Sequence, residues 1–133
     1  MKARILIFED NDSIRSTLKN LLEELDYEVD TFSNPGMCSQ FYSSKHSCLL
    51  DDSCSDIIIS DVNMPVETGL EFIKSRFNNG CKIKFRALMS AGWNETDLKQ
   101  AEMIGFKVFH KPFDLEELIK WLDNCRKQIE TLR

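Results

Sequence analysis

The 133-residue sequence lacks any apolar run longer than a handful of residues, so no stretch of it reads as a membrane span. It also lacks a C-x-x-C pair. Its five cysteines, Cys38, Cys48, Cys54, Cys81 and Cys125, are odd in number and irregular in spacing, a pattern of reduced thiols rather than of a disulfide framework. Cys38, His46, Cys48 and Cys54 lie close together, but without paired spacing they read as loop thiols and not as a zinc site. Basic charge is scarce. Against 22 acids stand 17 lysines and arginines, and the net −5 argues against direct nucleic-acid binding through phosphates. With only three prolines and five glycines, no linker, repeat or low-complexity tract interrupts the chain. The start, Met1-Lys2-Ala3-Arg4, leads into a strand and not into a secretory signal, so a cytoplasmic location is expected. Residues 1–133 are expected to form one domain with a real core, residues 126–133 being a helix tail or the start of a linker.

What the chain does have is strand and helix in alternation. Asp56-Ile57-Ile58-Ile59-Ser60-Asp61 is a β-branched run without polar alternation, which suits a central strand covered on both faces. Met64-Pro65 ends it. Arg4-Ile5-Leu6-Ile7-Phe8 is a second such strand. After it, Asn11-Asp12-Ser13 caps a helix with Ile14, Leu18, Leu21, Leu22 and Leu25 on its apolar face and Arg15, Lys19, Glu23 and Glu24 on the other. Glu28 to Phe32 alternates as an edge strand, and Pro35 opens a weak helix to about Ser44. Lys45 to Ser55 reads as a polar loop. Leu70, Ile73 and Phe77 mark a third helix, Lys84 to Met89 a fourth strand, Trp93 to Gly105 a fourth helix and Phe106 to His110 a fifth strand. Asp114, with Glu117 as capping-box partner, starts a last helix lined by Leu115, Leu118, Ile119, Leu122, Cys125 and Ile129. Five alternations specify a three-layer α/β sandwich around a parallel sheet.

Four of the five strands end in a chemically useful group: Glu9 and Asp10, Asp61, Ser90 and Lys111. In a parallel sheet those ends share one edge, where ligands of open α/β folds bind. Carboxylates brought together there repel, at ~4 Å by ~4 kcal/mol per pair for an effective dielectric near 20. A hard divalent cation is the natural counterion, and Lys111 adds a second positive charge. A carboxylate beside such a cation, an ammonium and a hydroxyl suits phosphoryl transfer to an aspartate.

These residues carry a resemblance. Ile5-Leu6-Ile7-Phe8-Glu9-Asp10-Asn11, then Ile59-Ser60-Asp61-Val62-Asn63-Met64-Pro65 with Gly69-Leu70, then Met89-Ser90-Ala91, then Lys111-Pro112-Phe113 resemble the receiver domain of two-component response regulators over essentially the whole chain. The resemblance implies a flavodoxin-like sandwich with a five-stranded parallel sheet of order 2-1-3-4-5 and five helices. It implies that Asp61 is the phosphoacceptor for a sensor histidine kinase or phosphotransfer protein. Mg²⁺ would be held by Glu9, Asp10, Asp61 and the backbone carbonyl of Asn63, and Ser90 and Lys111 would bind the phosphoryl group. A downstream partner or a second copy of the domain would dock on the face of the fourth helix, fifth strand and fifth helix, including Lys107 and Trp121.

The chain departs from the family pattern in three places. The acid pair is Glu9-Asp10 where Asp-Asp is commoner, the loop from Lys45 to Ser55 is longer, and Val108 holds the usual position of the aromatic switch residue, with Phe109 next to it. Two other readings of the sequence are a receiver-shaped interaction module that is never phosphorylated and a phosphohydrolase working through an aspartyl phosphate. The hydrolase would need a second acid two residues after Asp61, where Asn63 stands.

Overall fold

The computed structural model describes residues 2–33, 55–61, 83–90, 95–103, 105–111 and 114–132. In chain order these form β1 (Arg4–Phe8), α1 (Asp12–Glu24), β2 (Glu28–Phe32), β3 (Ile57–Asp61), β4 (Phe85–Ser90), α2 (Glu95–Met103), β5 (Lys107–His110) and α3 (Leu115–Leu132). All strand pairs are parallel, in the order β2-β1-β3-β4-β5. The sheet order and parallel pairing expected from the resemblance are therefore present. The expected five helices require correction: the described residues carry three. The helices expected from Pro35 to Ser44 and around Leu70 to Phe77 lie outside the described residues. The apolar spacing that suggested them was sparse, with only two or three anchors each, and a few anchors do not define a helix.

Strand order follows from which faces are greasy. β3 is buried at all five positions, as an unalternating isoleucine run demands of a central strand. β2 alternates, with Val29 buried between exposed Glu28 and Asp30, and it takes an edge. Ile5, Ile7, Ile57, Ile59, Ala87, Met89 and Phe109 face one side and pack on Leu18 and Leu22 of α1 and on Leu118, Leu122, Cys125 and Ile129 of α3. Leu6, Ile58 and Leu88 alternate to the other face and are buried as well. Because β1 leads outward to β2 in one direction and β4 to β5 in the other, right-handed crossovers put α1 and α2 on opposite faces.

The β1–β3 register positions the site, and polar groups at the amino end pin it. Asp56 Oδ2 accepts from the Arg4 backbone N–H at 2.9 Å, the Asp56 N–H donates to the Arg4 carbonyl at 3.1 Å, and the Ser55 hydroxyl donates to the same carbonyl at 2.9 Å. Ile5 then lies opposite Ile57 and Phe8 opposite Ser60, so Glu9 and Asp61 leave the sheet side by side. A slip of one residue would send the acids to opposite faces.

The helix ends differ in part from expectation. Asn11 caps α1, its side chain accepting from the Ile14 N–H at 3.0 Å. Asp114 Oδ1 accepts from the Glu116 N–H at 2.9 Å, as a cap should, while the Glu117 carboxylate meets Lys107 Nζ at 3.7 Å. Leu115, expected on the inner face of α3, is exposed, because it sits in the first turn before the helix reaches the sheet. Gly105 closes α2 at φ 94°, where glycine has no steric penalty. Asp26 takes the corresponding place after α1 at φ 72°, unusually for a residue with a Cβ.

Candidate phosphoryl and cation site

The order of the sheet reverses between β1 and β3, and the acids sit at that switch point, the place where parallel sheets open a crevice. Glu9 is fully buried, Asp61 nearly so at 5% exposure, and Asp10 is exposed. A carboxylate oxygen from each lies within 4.8 Å of the others. Lys111, just beyond β5, reaches across the edge and places Nζ 2.9 Å from Glu9 Oε2 and 2.9 Å from Asp61 Oδ2. Residues 102 and 50 positions apart in sequence to Lys111 thus meet at one ammonium.

Glu9 is anchored at every polar atom. Its N–H donates to the Phe32 carbonyl at 3.0 Å, its carbonyl accepts from Arg15 Nη1 at 2.9 Å, and its Oε1 accepts from the Asn11 N–H at 3.1 Å. Burial raises its carboxyl above the usual range, and the negative charge of Asp61 adds to this. The hydrogen bonds from Lys111 and Asn11 oppose the rise without cancelling it. For Lys111 burial disfavours the ammonium, but its bonds to Asp61 and Glu9 more than offset that, so its proton is held more tightly than in a free lysine. Among the described residues, one ammonium against three carboxylates leaves an excess of negative charge. An all-oxygen donor set of this kind on rigid strand ends fits a hard divalent cation.

Of the residues singled out in the sequence, Glu9, Asp10, Asp61 and Lys111 are brought together. Ser90 ends β4 beside them, its backbone opposite His110 of β5. Asn63, Met64 and Pro65 lie outside the described residues, as do Cys38, His46, Cys48 and Cys54. Val108 is half-buried opposite Leu88, whereas Phe109 points to the other face, where it is buried and meets Trp121 edge-on at 5.8 Å between centroids. Lys107 Nζ lies 5.5 Å from the Phe109 centroid. Sequence reading assigned Arg15 to the solvent face of α1. Instead its guanidinium turns back to the Glu9 carbonyl and to the Asp12 carboxylate. The offset of six residues between an acid at a strand end and an arginine one turn into the next helix was the available signal.

Among the described residues no helix is long and apolar enough to cross a membrane. The response regulator receiver domain profile matches residues 5–123. The chain is 32% identical over 123 residues to the DNA-binding transcriptional regulator NtrC of Azospirillum brasilense, covering 92% of this chain and 24% of that protein. It is 31% identical over 131 residues to the transcriptional regulatory protein FlgR of Helicobacter pylori, covering 96% of this chain and 30% of that one. The chain thus spans about a quarter to a third of the length of these relatives. Among solved structures it is similar to the chemotaxis protein CheY4 of Vibrio cholerae, with a TM-score of 0.73 and 28% identity over 94% of this chain and 99% of that one. A profile match across almost the whole chain, over a sheet of order 2-1-3-4-5 with its acids at the switch point, means that this chain belongs to the response regulator receiver domain family.

Proposed function

We propose that Asp61 is the residue that takes the phosphoryl group, from a sensor histidine kinase or a phosphotransfer protein. An Asp61 carboxylate oxygen attacks the phosphorus of a phosphohistidine, the new P–O bond forms as the P–N bond breaks, and the imidazole nitrogen leaves with the electron pair and takes up a proton. Glu9, Asp10 and Asp61, with the backbone carbonyl of Asn63, would hold Mg²⁺, which when bound neutralises charge on the transferring oxygens. Lys111 moves its attention from two carboxylates to a phosphoryl oxygen, and Ser90 donates to another. The carrying observation is the placement of Lys111 Nζ, 2.9 Å from the oxygens of both Asp61 and Glu9 at the sheet edge.

Phosphorylation adds about −1.5 to −2 charge to Asp61. The segments carrying Ser90 and Lys111 respond, and the face of α2, β5 and α3 that they flank, including Lys107 and Trp121, docks a downstream partner or a second copy of the domain. Incubation with Mg²⁺ and acetyl phosphate should give a labile adduct by intact mass that Asp61→Asn abolishes. Absence of any adduct from a small donor and from a kinase would favour an inert interaction module, and rapid turnover of varied phosphoesters would favour a hydrolase.

A further inference from the structure

We propose that Arg15 is a positioning residue for the cation at this site: it fixes the plane of the peptide joining Glu9 to Asp10, and so the direction in which Asp10 presents its carboxylate. The inference rests on the proposed function of the site. A peptide unit is planar, so a hydrogen bond to the Glu9 carbonyl restrains ψ of Glu9 and φ of Asp10 together. Arg15 Nη1 makes that bond at 2.9 Å, from a side chain only 21% exposed. Its other terminal nitrogen pairs with the exposed Asp12 carboxylate, so both ends of the planar guanidinium have partners within the loop and the first turn of α1.

The restraint falls where it is needed. Glu9 is already held through its N–H by Phe32 and through its side chain by Asn11 and Lys111. Asp61 is fixed by its strand and by Lys111. Asp10 is the exposed acid of the three and has no ion pair among the described residues, so the peptide plane before it, which sets the direction of its Cα–Cβ bond, is the restraint on where its carboxylate can reach. Arg15 thus acts on the cation's ligand set through the backbone.

A charge near a cation site has an obvious competing effect, and the two differ in sign. Acting through space, a guanidinium repels Mg²⁺, so its removal would tighten binding, most at low salt. Acting through position, its removal weakens binding, and at any salt. Mg²⁺ titration of the full chain, followed by calorimetry and by amide shifts of residues 9–12, distinguishes them. For Arg15→Gln we expect affinity about tenfold lower, the low end of the loss seen when a group orienting a metal ligand is removed. Arg15→Lys keeps the charge but not the fork, and should lie between the two. Should Arg15→Gln fold poorly, Arg15→Lys alone decides, weaker binding supporting the role and wild-type affinity overturning it. Unchanged or tighter binding by Arg15→Gln overturns the positioning role while leaving the site's function standing. A wild-type chain that binds no Mg²⁺ overturns both.

Discussion

Glu9 and Lys111 show how a single residue's surroundings decide its chemistry. The sequence placed a Glu-Asp pair after β1 but could not say which acid is buried, because that depends on a register set by Arg4 and Asp56 at the far end of the strands. With Lys111 removed, Asp61 and Glu9 would lose the ammonium that both carboxylates share. Lys111→Ala should therefore destabilise the cation-free protein by about 3 kcal/mol, and saturating Mg²⁺ should recover part of that loss in thermal denaturation. The raised carboxyl of Glu9 has a defined pH consequence. The folded state holds this proton more tightly than the unfolded chain, so the ionised carboxylate penalises the fold above its raised pKa, and the penalty disappears as pH falls toward the ordinary 4.5. In cation-free buffer, the stability gain of Glu9→Gln over wild type should be largest near neutral pH and shrink on acidification. A gain that grows toward acid would contradict the sign.

At the scale of elements, strand identity was legible and helix detail less so. β1 and β2 run over the stretches expected of them, since β-branched runs and period-two alternation survive without knowledge of neighbours. What the sequence could not reveal were tertiary choices: Leu115 left in solvent, Glu117 drawn to Lys107, and Arg15 folded back onto Glu9. The end of α1 carries a small strain at Asp26, φ 72°, whose partner Lys2 at 3.4 Å is an exposed pair of little weight. Asp26→Gly should raise stability by about 0.5–1 kcal/mol, seen as a higher midpoint in urea. On β5, Val108 and Phe109 take opposite faces. Adjacent strand residues face opposite sides, so the aromatic ring sits against α3 and Trp121 and not on the α2 side. In a Trp93→Phe background, the fluorescence of Trp121 should change on phosphorylation; Phe109→Leu should suppress that change and Val108→Ala preserve it. The opposite pattern would place the coupling on the other face.

At the scale of the whole chain, the sheet order and the acids at its switch point are those of the response regulator receiver domain family. Four residues from three strand ends make up the described site; parallel topology brings them to one edge, and the β1–β3 register sets the faces they take. That is why the site could be assembled from sequence. The central claim is that Asp61 carries the phosphoryl group, and reductive trapping tests it directly. After incubation with Mg²⁺ and acetyl phosphate, borohydride reduces an aspartyl phosphate to homoserine, which peptide mass spectrometry locates. The account predicts homoserine at position 61 and none in the Asp61→Asn protein. Homoserine at position 10 instead, or none with either acetyl phosphate or a phosphorylated histidine kinase as donor under conditions where the wild-type chain binds Mg²⁺, would contradict it.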